Sequence, residues 1–151
     1  DLVTAFTTAS SGSYIRMAIG TYFISAPLSL AGQNVVVEGG FIDTLAWTKT
    51  SLAGATTIYR SNTNPSGPAN SPRISAVELV SNTGFRFQDI TIQTESANPT
   101  SQANPYGVSI YGVYLDSCSS YDFVRCQVLS GAAGAGFNGA SGANGVNGTN
   151  G

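Results

Sequence analysis

The chain has 151 residues, which is enough for one domain with a sizeable core and an appendage. Only 9% of its residues are charged and the net charge is −2, so there is no basic surface for nucleic acid or an anionic membrane. No apolar run approaches the roughly 20 residues that span a bilayer. Small and polar residues dominate, which disfavours a helical protein and favours short strands.

The first predicted strands lie between residues 14 and 37. Apolar residues alternate there with other residues, at Ile15, Met17, Ile19, Tyr22, Ile24, Leu28, Leu30, Val35 and Val37. A period of two is typical of a half-buried strand. The stretch "TTIYRS" predicts another short strand. The start at Asp1, with no charged-then-apolar leader after it, is expected of a mature chain or a fragment.

Two segments are predicted to be loops that project from the strands and are available for contacts. Ser61 to Arg73 contains three prolines, and Ser96 to Ile110 contains two Asn-Pro dipeptides. Proline cannot donate to a sheet hydrogen bond, so neither segment suits a central strand.

The segments on either side of the second loop are two copies of one pattern. Ser75 to Glu95 aligns without a gap on Tyr111 to Gly131, at an offset of 36 positions. The apolar residues match in pairs, Val77 with Val113, Leu79 with Leu115, Phe85 with Tyr121, Phe87 with Phe123, Ile90 with Cys126 and Ile92 with Val128. A chain that lays each strand on its predecessor forms a parallel β-solenoid. With the earlier strands, we expect about five turns, some of them incomplete, between Leu2 and Gly131.

The charged positions of the two copies favour the same register. Arg86 aligns with Asp122, and Asp89 aligns with Arg125, so stacking places opposite charges side by side twice. Opposite charges on neighbouring strands stabilise a sheet, whereas like charges destabilise it. We interpret these residues as structural ion pairs between turns.

Two stretches resemble known proteins. "SYIRMAIGTYFISAPLSLAGQNVVVEGGF" places two strands and an apolar triplet before Glu-Gly-Gly-Phe, and it resembles the opening turns of the right-handed parallel β-helix superfamily typified by pectate lyases. "GGFIDTLAWTKTSLAGATTI" is similar to a segment of large bacterial cell-surface and polymorphic outer-membrane proteins of that fold. The resemblance covers Leu2 to Gly131 loosely. It implies a right-handed parallel β-helix, with either polysaccharide cleavage or non-catalytic surface display as its function.

Few residues are suited to catalysis. The chain has no histidine, which removes the commonest general base and metal ligand. Glu38 and Asp43 flank the Gly-Gly-Phe turn and are the closest candidate pair of carboxylates, although solvated turn residues are the plainer interpretation. We expect no catalytic residue, no cofactor and no metal.

The two cysteines and the aromatic residues leave alternatives open. Cys118 and Cys126 form either two free thiols or a small disulfide loop, and Cys126 is expected to point inward. The candidate ligand contacts are exposed aromatic residues and one carboxylate, namely Tyr114, Glu78, Tyr111, Tyr106 and Trp47. Exposed rings can stack on sugars or join a protein interface. Scattered surface aromatics are the alternative.

The tail, residues 132–151, has a glycine at every third position from Gly136 onwards. The repeating positions are Gly136, Gly139, Gly142, Gly145 and Gly148, accompanied by Asn138, Asn144, Asn147 and Asn150. Collagen relies on proline to extend its strands, and this tail has none. We expect either a linker or the start of a polyglycine-II-like module that packs against neighbours.

These features favour a non-catalytic, structural and adhesive segment of an extracellular bacterial surface protein or filament. Bacterial adhesins that the sequence resembles combine β-helical stretches with Gly-rich repeats. Its expected partners are other segments of a larger chain, neighbouring subunits or surface glycans. The alternatives are a polysaccharide lyase or hydrolase fragment, which needs acids from several turns to converge, and a secreted cargo or assembly subunit.

Overall fold

The computed structural model describes residues 1–50, 52, 54–98, 106–139, 141–143 and 145. Apart from one α-helix and one 3-10 turn, its regular elements are all β-strands. They run in the order α1 Leu2–Thr8, β1 Tyr14–Ala18, β2 Gly20–Ile24, β3 Val36–Ile42, the 3-10 turn Asp43–Leu45, β4 Thr48–Lys49, β5 Thr56–Arg60, β6 Arg73–Val80, β7 Arg86–Gln88, β8 Thr91–Thr94, β9 Ser109–Asp116, β10 Asp122–Val124 and β11 Gln127–Leu129.

The strands form three sheets. Sheet A holds β1, β3, β7 and β10 in parallel, with β4 antiparallel to β3. Sheet B holds β2, β5, β8 and β11 in parallel. Sheet C pairs β6 with β9, and a bridge from Leu28 to Val77 adds an earlier residue. Along the chain, strands therefore enter sheets A, B and C in rotation.

The predicted register between the two copies is confirmed. Phe87 lies opposite Phe123 in sheet A, Ile92 opposite Val128 in sheet B, and Val77 opposite Val113 in sheet C. Sheet A contains four parallel strands among the described residues.

The core consists of apolar side chains that alternate along the strands. Most of the predicted inward residues are buried, including Met17, Leu28, Val35 and Val37. Ile19 is an exception, because it lies between β1 and β2 and is 42% exposed. Strand alternation does not hold across that corner.

The N-terminal residues form a helix that the strand pattern did not predict. The Asp1 Oδ1 atom accepts a hydrogen bond of 2.8 Å from the Thr4 amide and caps α1. Phe6 is fully buried, and its ring centroid lies 6.2 Å from that of Phe87. The stacked strands thus begin at Tyr14 rather than at Leu2, and α1 packs against the core.

The corner residue before each parallel strand of sheet A has a left-handed backbone conformation. Gly12, Asn34, Gly84 and Ser120 have φ values of 81°, 55°, 70° and 52°, and each lies two residues before a sheet A strand. The amides of the first three donate to the carbonyl preceding the next corner residue, at 2.9, 2.9 and 3.1 Å. The corners therefore stack as regularly as the strands do.

Both predicted loops are shorter than the sequence suggested. Arg73 begins β6, and Ser109 and Ile110 already belong to β9. Arg60 is fully buried and anchors the first loop by donating to the carbonyls of Ser61, Thr63 and Asn64, at 2.6 to 2.8 Å. Burial lowers the pKa of the Arg60 guanidinium. Residues 99–105 of the second loop lie outside the described residues.

Candidate functional site

A charged cluster lies at the corner between sheets A and B. It comprises Glu38, Lys49, Gln88, Asp89 and Arg125. The Arg125 guanidinium donates two hydrogen bonds to the Asp89 carboxylate, of 2.6 and 2.9 Å. The predicted ion pair between these residues is therefore present. The Lys49 Nζ atom lies 2.5 Å from the second Asp89 oxygen and also contacts Glu38. Each carboxylate of the cluster thus has a cationic partner.

The charged cluster favours the ionised form of Asp89. Hydrogen bonding from Arg125 lowers the Asp89 pKa most, and Lys49 and Gln88 add to this against the opposing effect of burial. An open cleft of about 280 Å³ lies beside the cluster. Its lining consists of Lys49, Asp89 and Arg125 from the cluster together with Gly40, Thr50, Leu52 and Gly54. Carboxylates held ionised by neighbouring cations are poor general acids at neutral pH.

The second predicted ion pair is absent from the described residues. Arg86 and Asp122 lie opposite each other in the register of β7 and β10, yet no ion pair joins them there. The Arg86 Nε atom is buried without a hydrogen-bond partner, while Asp122 is exposed. Opposed backbone positions therefore do not ensure a side-chain contact, and an exposed ion pair contributes little free energy that would enforce one.

Three of the predicted ligand contacts lie together on sheet C. Glu78 lies opposite Tyr114, and the centroids of the Tyr111 and Tyr114 rings are 5.5 Å apart. Arg73 contacts Glu78 and places its guanidinium carbon 4.2 Å from the centre of the Tyr114 ring. Ser66 and Ser75 hydroxyl groups also bond to the Glu78 carboxylate, at 3.0 and 2.8 Å.

The Glu78 carboxylate therefore already binds groups of its own chain. Burial raises the pKa of this carboxyl, but the hydrogen bonds from Arg73, Ser75 and Ser66 outweigh burial and leave the pKa lowered. The first loop is tied to sheet C through Ser66, which also forms an antiparallel bridge with Arg73. The Glu78 carboxylate thus holds the loop to sheet C, and its role as a ligand contact stays a prediction.

The two remaining predicted contacts, Tyr106 and Trp47, lie outside β6 and β9. Tyr106 is 47% exposed and follows the undescribed part of the second loop. Trp47 is 44% exposed and lies on the hairpin between β3 and β4, where its ring packs against Phe41. The five candidates thus do not converge on one site.

Glu38 and Asp89 both contact Lys49, but the other carboxylates of the chain do not join them as one group. Glu38 is in β3 of sheet A, whereas Glu78 and Asp116 are in sheet C. Asp43 accepts a hydrogen bond of 2.8 Å from the Thr44 amide in the 3-10 turn. No group of three or more Cys, Asp and Glu side chains in the described part of the chain is placed to hold a metal ion.

The cysteines are free thiols at two different corners. The Cys118 thiol contacts the Leu79 carbonyl oxygen at 3.4 Å, and the Cys126 thiol contacts the Val124 carbonyl oxygen at 3.6 Å. Both side chains pack against the core. Burial raises the pKa of the Cys126 thiol, which makes it a poor nucleophile. The disulfide alternative is therefore not adopted.

The tail begins as a packed segment, whereas the described surroundings of Gly139, Gly142 and Gly145 are open. Gly134 exchanges two backbone hydrogen bonds with Val108, of 2.9 and 3.1 Å, and so closes the base of the second loop. No described atom lies within 4 Å of a Cβ built on Gly139, Gly142 or Gly145, and the packing of these glycines against neighbours stays a prediction. Gly136 lies near Gly107 and Asn138 is exposed. Asn144, Asn147, Gly148 and Asn150 lie outside the described residues.

Sequence reasoning missed three residues beside Trp47. Tyr14 and Arg16 alternate with the buried residues Ile15 and Met17, and this alternation alone places them on the outer face of β1. Phe41 packs between Arg16 and Trp47. Its outward position depends on an irregularity in the register of β1 and β3, which alternation does not reveal.

Comparisons with protein-family models, curated protein sequences and solved structures gave no significant match. No helix among the described residues has the length and apolar character needed to cross a membrane.

Proposed function

We propose that the chain is a right-handed parallel β-helix segment of about four turns. Its function would be structural and adhesive, without catalysis, in an extracellular bacterial surface protein or filament. The rotation of strands through three parallel sheets and the stacked left-handed corners support the β-helix. The handedness follows from the strong preference of parallel crossover connections.

The observation that carries the structural role is the exposure of inward apolar side chains on the last turn, which comprises β9, β10 and β11. Val113, Leu115, Phe123 and Cys126 are only half-buried, and Val128 is 47% exposed, although they continue rows that are fully buried one strand earlier. Among the described strands, β9, β10 and β11 each lie at one edge of their sheet. Inward apolar side chains next to such an edge form a surface that further strands or a neighbouring subunit would cover. Such an end suits a segment within a longer assembly.

The state of the carboxylates supports a role without catalysis. Glu38, Glu78 and Asp89 each contact a lysine or arginine of the same chain, and the pKa values of Glu78 and Asp89 are lowered. A general acid needs a pKa near the operating pH, and a lowered carboxyl pKa lies further from neutral pH than usual. These groups join neighbouring strands and loops instead.

The first experiment tests assembly and cleavage on the same samples. The mass of the native polypeptide is determined by mass spectrometry, and the purified protein is imaged by electron microscopy for fibres. Val128→Asp is expected to abolish assembly, because it places a charge on the half-exposed last turn. Val3→Asp is the matched control, because Val3 is 43% exposed but lies on α1 rather than on the last turn, and an acidic residue in the first turn of a helix is tolerated.

Two results would overturn the proposal. One is a native polypeptide that remains a monomer and whose state Val128→Asp does not alter. The other is the release of new reducing ends or unsaturated products from polysaccharides, lost in Glu38→Gln, which would favour the cleaving-enzyme alternative. Fibres together with an absence of released products would support the proposal.

A further inference from the structure

A cluster of exposed side chains, here called the aromatic platform, lies on sheet A at the edge formed by β1. It consists of Tyr14, Arg16 and Trp47, which together line an open cavity of about 390 Å³. Tyr14 and Arg16 come from the outer face of β1, and Trp47 comes from the hairpin that connects β3 to β4. Segments distant in sequence thus bring two aromatic rings and one guanidinium to the same surface.

Phe41 supports the aromatic platform from below. It is only 7% exposed, and its ring centroid lies 6.2 Å from that of Trp47 and 5.5 Å from the guanidinium carbon of Arg16. Gly40, with a φ of 85°, permits the extra residue that shifts the register between β1 and β3. This irregularity places Phe41 where it contacts Arg16 and Trp47.

The aromatic rings of the platform are exposed, and the backbone that presents Trp47 has an unfavourable conformation. Tyr14 is 70% exposed and Trp47 is 44% exposed, although large aromatic side chains gain free energy from burial. Ala46 and Trp47 are consecutive left-handed residues, with φ values of 51° and 57°. A bulky residue at positive φ is a rare outlier, and such strain concentrates at binding sites.

The positive charge of the platform has no carboxylate partner among the described residues. Arg16 is exposed and lies opposite Glu38 in the register of β1 and β3. The Glu38 carboxylate, however, contacts Lys49 and accepts a hydrogen bond of 2.8 Å from Gln88. The planar guanidinium of Arg16 is therefore free to bind an external anionic group through two parallel hydrogen bonds.

We infer that the aromatic platform binds an acidic glycan. The faces of Tyr14 and Trp47 stack on sugar rings, whose C–H groups are apolar, and Arg16 pairs with a carboxylate or sulfate of the same sugar chain. This deepens the proposed adhesive function, on which it rests, by naming the ligand class and the residues that contact it.

The only tryptophan of the chain lies in the platform, so tryptophan emission reports on the site directly. The intact protein is titrated with oligogalacturonate, with a sulfated oligosaccharide and with a neutral cello-oligosaccharide of matched length. We expect a saturable change in Trp47 emission with at least one acidic ligand, which identifies the anionic group. The neutral ligand is expected to bind at least tenfold more weakly, and added salt should weaken acidic binding.

Matched variants separate the platform from exposed aromatics in general. Arg16→Gln and Tyr14→Ala are each expected to weaken binding at least tenfold. Phe23→Ala is expected to leave binding unchanged, because Phe23 is 77% exposed but lies on sheet B. Circular dichroism verifies that each variant remains folded. For a variant that does not fold, Arg16→Lys replaces Arg16→Gln, and Tyr14→Ser replaces Tyr14→Ala.

Three results would overturn the inference, namely no saturable change with either acidic ligand, equal binding of the neutral ligand, and unchanged binding in Arg16→Gln. Electron microscopy of the same preparations separates this inference from the proposed function. Fibres without glycan binding would refute the platform alone, whereas glycan binding by a chain that never assembles would refute the filament role alone.

Discussion

The two copies of the repeat, β6 to β8 and β9 to β11, hold matched residues in one register but bury them to different extents. Phe85 is 1% exposed and its counterpart Tyr121 is 43% exposed, while Ile92 is fully buried and its counterpart Val128 is 47% exposed. In sheet A, β7 lies between β3 and β10, whereas β10 has β7 as its one neighbour among the described strands. The difference shows that burial depends on how many strands flank a residue as well as on its type.

Removing the matched phenylalanine from each copy should have the largest effect and the clearest contrast. Phe87→Ala is expected to lower the free energy of unfolding by about 3–5 kcal/mol, because a fully buried ring leaves a cavity. Phe123→Ala should cost roughly 1–2 kcal/mol, because its site is half-buried and open to water. Urea denaturation followed by circular dichroism measures both.

Equal losses for these two variants would contradict the contrast between the copies. They would mean that the last turn is covered in solution as well as the preceding one. Measuring both at several protein concentrations identifies self-association as the cause, since association makes the apparent stability depend on concentration.

The corner residues offer a second contrast, of intermediate size. Gly84→Ala is expected to lower the free energy of unfolding by about 1–2 kcal/mol. Alanine is strained at a φ of 70°, and its Cβ would overlap the side-chain amide oxygen of Asn34. Ser120→Gly should change stability by less than about 0.5 kcal/mol, because glycine relieves the strain at a φ of 52° but loses more chain entropy. Thermal unfolding measures the two shifts, and a cost in Ser120→Gly as large as that in Gly84→Ala would argue against a shared corner geometry.

The smallest contrast concerns the two aligned ion pairs. Asp89→Asn is expected to cost at most about 1 kcal/mol at pH 7, because water screens a pair near the surface. Asparagine tolerates the left-handed conformation of Asp89, so the change removes charge with little backbone strain. Asp122→Asn should have almost no effect, since Asp122 is exposed without an ion pair among the described residues.

The pH dependence gives an independent reading of the same pair. The Asp89 pKa is lower in the folded than in the unfolded chain, so the unfolded chain binds more protons in acid. Stability from this group is complete above about pH 4 and is lost as the pH falls below it. Asp89→Asn should flatten the acid side of the stability profile, although Glu78 retains a contribution of the same sign. An unchanged profile would show that Arg125 and Lys49 do not hold Asp89 ionised in solution.

Sequence reasoning was accurate where one local pattern recurs in register. The alternation of Val77, Leu79 and the matched Val113 and Leu115 gave the pairing of β6 with β9 directly. It predicted the earlier strands but not their pairing, because Val36 lies opposite both Tyr14 and Arg86 at unequal sequence separations. Insertions between those strands conceal the repeat from an alignment at one fixed offset.

The candidate contacts were predicted less well than the strands. Glu78 and Tyr114 were placed side by side correctly, but the sequence did not reveal that Arg73 and two serines occupy the carboxylate. Trp47 was recognised as a surface aromatic, while its neighbours Tyr14 and Arg16 were missed. Their proximity arises from the pairing of β1 with β3 and the return of the hairpin, which no local pattern encodes.

The sequence by itself determined the all-β character, the strand alternation and the register of the two copies, because these follow from residue type and spacing of two. The tertiary structure alone decided which alternating residues are buried, which aligned charges meet and where the aromatic platform forms. Burial and ion pairing depend on neighbours that the chain brings together from distant positions. Asp89 forms an ion pair with Arg125, whereas Arg86 and Asp122 form none among the described residues, although both pairs are separated by the same number of residues.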